Sequence, residues 1–182
     1  MIFGKGINDL SCTVDSYSTW HSIHRRCYSQ VYQKTKPTYV GCVVDADWHK
    51  LSVFDKWFQV NFVEGWQLDK DLLQVSSKVY SEDSCCFLPP ELNTLIVEKA
   101  KEDGLPPGVS YKAKNSKFVA QLSQYKAGVR ASGHLCLHED PEVCFQVYKE
   151  AKERKIKELA TAYKSTLTAR AHEALLNFEV LR

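Results

Sequence analysis

Apolar positions early in the chain recur at helical spacing. Trp20, Ile23, Cys27 and Val31 stand three or four residues apart, which predicts a helix over Tyr17 to Tyr32 with Arg25 and Arg26 between them. Thr38 to Val44 follows Pro37, is rich in β-formers and predicts a strand. A second helix is predicted from Asp47, with Leu51, Phe54, Trp57 and Phe58 as its apolar stripe, and Gly65 closes that region. Trp66 to Leu68 is a short apolar run that fits a strand, and Val79-Tyr80 fits its hairpin partner. Cys85 to Leu88 then leads through Pro89-Pro90 into a helix carrying Leu92, Leu95, Ile96 and Lys99.

The run Asp103-Gly104-Leu105-Pro106-Pro107-Gly108 cannot continue a helix and places a domain boundary at 103/104. Beyond it the pattern turns to a period of two. Phe118, Ala120 and Leu122 alternate with Val119, Gln121 and Ser123. Strands are predicted at Val109 to Lys112, Lys117 to Gln124 and Arg130 to Leu137, with turns at Asn115-Ser116 and Ala127-Gly128. Asp140 reads as an N-cap and Pro141 as the first residue of a long helix. Its apolar positions are Val143, Val147, Ala151, Ile156, Leu159 and Tyr163. Ser165 to Thr168 breaks that helix, and Ala169 to Phe178 predicts a last one with Ala171, Leu175 and Phe178 on one side. The expected fold is α+β. A first domain, 1–103, precedes a three-stranded antiparallel sheet packed on a long helix, 104–165, and a C-terminal helix lies in 166–182.

Composition supports a packed core, since 44% of the 182 residues are hydrophobic and 12% aromatic, the opposite of a disordered chain. The net charge of +2 is unevenly spread. Residues 1–103 hold 11 Lys and Arg against 14 Asp and Glu, whereas 104–165 hold 11 against 6, so a polyanion would be held by the second half. Seven cysteines are an odd set with no secretory signal over Met1 to Leu10, which favours free or metal-bound thiols in a reducing compartment. No apolar run approaches the ~18–20 residues of a membrane span, so no membrane partner is expected.

The chemistry centres on Leu68-Asp69-Lys70-Asp71. Two carboxylates one residue apart share a face on a strand, and in a loop both can turn to one hard cation such as magnesium or manganese. Acids ending a strand also commonly just build a turn. His21 and His24 lie three apart in a predicted helix and titrate near neutral pH, as a general base must, although histidines more often sit on a surface or in a core. Cys12, Cys27, Cys42 and Cys85 offer four thiolates for a structural zinc, or four small buried hydrophobes. Cys86, Cys136 and Cys144 fit core positions.

Two ordered series resemble known families. Gly108-Val109-Ser110-Tyr111, Lys117-Phe118-Val119-Ala120, Gly133-His134-Leu135, Pro141-Glu142-Val143 and Tyr148-Lys149-Glu150-Ala151-Lys152 resemble the plant ethylene-response-factor (APETALA-type) DNA-binding domain, over about 104–163. The resemblance implies a sheet face in the major groove of double-stranded DNA with one helix behind it. Lys112, Lys114, Lys117, Lys126 and Arg130 would then meet phosphates, and Gln121, Gln124 and Arg130 base edges. The basic helix face of Lys149, Lys152, Arg154, Lys155 and Lys157 reads as a solvated surface.

The second series runs from Trp20 and Arg26-Cys27-Tyr28 through Tyr39-Val40-Gly41-Cys42, Trp48, Phe54 and Trp57. It continues with Leu68-Asp69-Lys70-Asp71, Val79-Tyr80-Ser81, Cys85, Phe87-Leu88-Pro89 and Asn93. It resembles the HNH-type, homing-type endonucleases encoded by phages, which act in the bacterial cytoplasm. The resemblance implies a ββα nuclease domain with Asp69 and Asp71 on a divalent metal, His21 or His24 as base, Arg26 or Lys70 on the phosphate, and Asn93 as the family's late asparagine. Lys70 stands where the hairpin histidine usually follows the aspartate, and Ser84 stands where an asparagine is common. Either another histidine substitutes, or the domain binds DNA without cutting it. A phage protein that binds a host factor through the acidic first half is the remaining expectation.

Overall fold

The computed structural model describes residues 1–97, 103–126 and 129–182, and no side chains within 124–132. It is an α+β protein, as the pattern predicts. Packing divides it into two compact units, Met1–Leu88 and Pro89–Arg182, so the expected 103/104 boundary falls inside the second unit.

The first unit opens on α1 (Tyr17–Tyr28), whose buried Trp20, Ile23, His24 and Cys27 follow helical spacing. The helix predicted to Tyr32 stops short. Ser29 is extended (φ −87, ψ 107), and its hydroxyl accepts from the Tyr32 N–H at 3.3 Å to start a second helix, α2 (Gln30–Thr35). The break leaves Val31 77% exposed, off the predicted stripe. The strand expected over Thr38 to Val44 shrinks to β1 (Val43–Val44), because Pro37–Tyr39 winds into a 3₁₀ turn and Gly41 takes φ +80. A further 3₁₀ turn, Asp47–His49, precedes α3 (Leu51–Asn61), whose Leu51, Phe54, Trp57 and Phe58 are buried as the stripe predicts.

The hairpin pairing differs from the sequence expectation. Strand β2 (Gln67–Asp69) pairs antiparallel with β4 (Cys86–Leu88), in register Leu68 to Phe87 and Asp69 to Cys86. The expected partner, β3 (Val79–Tyr80), instead lies parallel to β1. Aromatic packing accounts for the choice. Phe87 stacks on Trp57 at 5.6 Å and meets Phe58 edge-on at 5.5 Å, which places β4 against α3. Tyr80, 1% exposed, joins the same core beside Val44 and Cys27.

The second unit starts with α4 (Pro90–Ile96), with Leu92 and Ile96 buried; Lys99 lies outside the described residues. Strands β5 (Val109–Lys112), β6 (Lys117–Lys126) and β7 (Val129–His138) form an antiparallel meander. Ser116 closes the β5–β6 turn in a left-handed conformation (φ 51), and Ala127-Gly128 lies outside the described residues. Helix α5 (Pro141–Ala162) packs against the sheet through Cys144, Phe145, Tyr148 and Ala151, together with Ala120 and Leu122. Its Asp140 cap accepts from the Glu142 N–H at 2.8 Å. Ala151 and Ile156 of the predicted stripe are buried, but at the start of the helix Val143 is 40% exposed while Cys144 and Phe145 face the core. Burying Phe145 and Tyr148 removes more apolar surface than burying Val143 and Val147. Gly108 permits that seat, since it takes φ +72 and a Cβ there would stand 2.1 Å from the Tyr148 ring. Helix α6 (Ala169–Leu176) follows, capped by Thr168 on the Ala171 N–H. The tail then returns to α5, where the Val180 N–H donates to Glu153 at 2.9 Å and its carbonyl accepts from Lys149 at 2.9 Å.

Candidate metal centre and nucleic-acid interface

The Asp69 to Asp71 stretch folds into a turn. Asp69, 9% exposed at the end of β2, accepts two N–H groups on Oδ1, from Asp71 at 3.0 Å and Leu72 at 2.8 Å. Burial pushes its carboxyl above the usual range, and those two N–H bonds work against the shift. Lys70, also 9% exposed, turns inward. Its Nζ donates to the Asp71 carboxylate and to the Ser77 carbonyl at 2.7 Å, and stands 5.9 Å from the Tyr80 ring centre. The two carboxylates therefore answer different partners: Asp69 a pair of backbone N–H groups, Asp71 an ammonium. Among the described residues, no group of three or more His, Cys, Asp or Glu is arranged to hold a metal ion. Ser84 has a structural task, fully buried, with its hydroxyl donating to the Val79 carbonyl at 2.7 Å and accepting from the Ser81 N–H at 3.1 Å.

The two histidines expected as base differ in burial. His24 is 0% exposed, its Nδ1–H donates to the Trp20 carbonyl at 2.9 Å, and its ring packs 4.5 Å from Trp20. Burial pulls its pKa down to about 4, so it is neutral at physiological pH, and Nε2 is buried without a partner. Gly6 lies close over this pair, where a Cβ would meet Trp20 at 2.8 Å and His24 at 3.1 Å. His21 is half-buried between Phe3 and Tyr17, with ring centres 5.2 and 5.9 Å away. Arg26 lies 5.5 Å from the Tyr39 ring with its Nε buried and without a partner; burial works to lower its pKa, and the neighbouring Tyr80 outweighs that and raises it. Asn93 sits in α4, in the other compact unit from Asp69 and Asp71. Sequence reasoning passed over His49, which packs 5.9 Å from His24 and lies within 3.3 Å of the Tyr28 hydroxyl.

Of the four cysteines considered for zinc, Cys27, Cys42 and Cys85 are buried in one core and Cys12 is exposed. Burial pushes the Cys27 and Cys85 thiols up to about 12, so both are protonated in the metal-free protein. A second feature of this unit escaped the sequence. An open cleft of about 520 Å³ is lined by Asp45, Asp47, Glu82 and Asp83 beside Trp48 and Trp57.

On the sheet, Lys112 and Lys117 face each other across β5 and β6, with exposed Lys114 in the turn between them. Lys117 also lies 3.6 Å from Glu139. Gln121 is half-buried and pairs across to exposed His134. Val119, between these positions on the same alternation, is fully buried. Gln124, Lys126 and Arg130 occupy the far end of the β6–β7 ladder in the pairs Gln124 to Ala131, Tyr125 to Arg130 and Lys126 to Val129, and their side chains lie outside those described. No helix among the described residues is long and apolar enough to cross a membrane. A scan against protein-family models and searches of curated proteins and solved structures find no match to this chain.

Proposed function

We propose that this protein binds double-stranded DNA through the β5–β7 sheet and does not cleave it with Asp69 and Asp71. The observation that carries the reading is the antiparallel sheet backed by α5, with Lys112, Lys114 and Lys117 gathered at one end. A twisted ribbon of this kind fits a major groove, and lysines at its edge supply the salt-dependent phosphate attraction. The excess of basic residues in 104–165 favours the same partner. Lys70 supports the non-cutting form, because its ammonium already engages the Asp71 carboxylate through Oδ1. A DNA-binding assay paired with a plasmid-cleavage assay in either metal tests both halves. Salt-sensitive binding with intact plasmid is expected, and the reading fails if binding is absent.

Metal-dependent endonuclease activity is the second reading, favoured by the antiparallel pairing of β4 with β2, the strand that ends at Asp69. Plasmid cleavage lost in Asp69→Ala would select it.

A further inference from the structure

We propose that Cys136 and Cys144 form an oxidisable dithiol that a peroxide converts to a disulfide joining β7 to the first turn of α5. Their sulfurs stand 3.7 Å apart, and Cys144 Sγ is also 3.4 Å from the Phe118 carbonyl oxygen. Disulfide closure brings sulfurs to ~2.05 Å, so a shift of roughly 1.7 Å is needed. The local backbone offers that shift. The β6–β7 register slips between Ala120, opposite Cys136, and Gln121, opposite His134, leaving Leu135 as an extra residue. Such an irregularity loosens the ladder beside Cys136. Accessibility divides the labour, since Cys136 is half-buried and Cys144 is 0% exposed.

The Cys136 thiolate attacks one peroxide oxygen, breaking the O–O bond and giving a sulfenic acid and, after protonation of the departing hydroxide, water. The Cys144 sulfur then displaces the sulfenic hydroxyl, which leaves as a second water with the Cys144 proton. Two thiols lose two electrons and two protons, and one peroxide is reduced to two waters. The product ties a strand of the DNA-facing sheet to its supporting helix.

The test treats the full-length protein with hydrogen peroxide and maps its peptides by mass spectrometry under non-reducing conditions. A peptide pair linked through Cys136 and Cys144, lighter by about 2 Da and released by a thiol reductant, is expected. In Cys144→Ser, Cys136 is expected to stop at a dimedone-reactive sulfenic acid, and in Cys136→Ser the buried Cys144 is expected to stay reduced. The wild-type map decides alone if a variant misfolds. Links among other cysteines only, or over-oxidised Cys136 without a link, would overturn the proposal.

Discussion

Replacing Asp69 by alanine separates a turn-capping carboxylate from a metal ligand. As a cap, its Oδ1 satisfies two N–H groups, of which that of Leu72 belongs to a residue only 8% exposed. Removing the acceptor leaves the Leu72 N–H without a partner in a place water reaches poorly, at about 1–3 kcal/mol. The more accessible Asp71 N–H adds less, about 0.5–1 kcal/mol. A total of about 1.5–4 kcal/mol is at least a roughly tenfold change in the folding equilibrium, a large share of a typical domain's stability. Asp69→Asn keeps a carbonyl oxygen for both bonds and removes a buried charge, so its loss is expected to stay below about 1 kcal/mol. The sign of the pH effect follows from the raised carboxyl of Asp69. The folded state holds this proton more tightly than the unfolded state, so the contribution is most favourable below the unfolded value of 3.8 and is lost as pH rises through the folded value. Urea unfolding at neutral pH, in chelator and in magnesium, measures all three proteins. A metal-site carboxylate gives the reverse pattern: Asp69→Ala as stable as wild type or more so in chelator, with magnesium stabilising wild type alone. That result would refute the turn assignment.

Two further outcomes test the cores. His24 has its pKa pulled down to about 4, so the folded state binds fewer protons than the unfolded state. Its contribution is complete above pH 6.5 and drains away towards pH 4, worth about 3 kcal/mol at most; His24→Phe is expected to flatten acid unfolding across that window, and an unchanged acid limb would contradict the burial argument. Gly108→Ala adds a Cβ 2.1 Å from the Tyr148 ring at φ +72, so thermal unfolding is expected to show a loss above about 1 kcal/mol that Tyr148→Ala does not repair, because the backbone strain remains.

The periodicity made much of the fold legible. The period-two alternation of Phe118, Ala120 and Leu122 gave the core face of β6, and the Asp140-Pro141 start gave the N-terminus of α5. Helix α3 was readable because four large apolar side chains repeat on one face. Local pattern failed where a long-range choice decided. Val79-Tyr80 was expected to pair with β2, and Cys86–Leu88 takes that place where Phe87 packs against α3. Ser29 reads as an ordinary helix residue until its capping of Tyr32 is seen. The candidate site fared likewise. The alternation of acid, lysine and acid was visible, but whether Lys70 points outward to a phosphate or inward to Asp71 and Ser77 depends on the loop that follows. Equal helical spacing placed His21 and His24 together, yet packing under Gly6 enclosed His24.

The proposed DNA binding rests on the lysines at the β5–β6 end of the sheet. Each phosphate contact contributes about 0.9 to the slope of log affinity against log salt, so three contacts make binding fall roughly 40-fold between 50 and 200 mM salt. The decisive measurement is the anisotropy of a labelled DNA duplex titrated with wild type and with Lys112→Ala/Lys114→Ala/Lys117→Ala across that range. Lys112 and Lys114 are exposed and should count nearly in full, whereas Lys117 shares its charge with Glu139. Tight, salt-sensitive binding by wild type is expected, with a slope shallower by about 2–3 in the triple variant. Equal slopes for the two proteins, or a wild-type slope near zero, would contradict it.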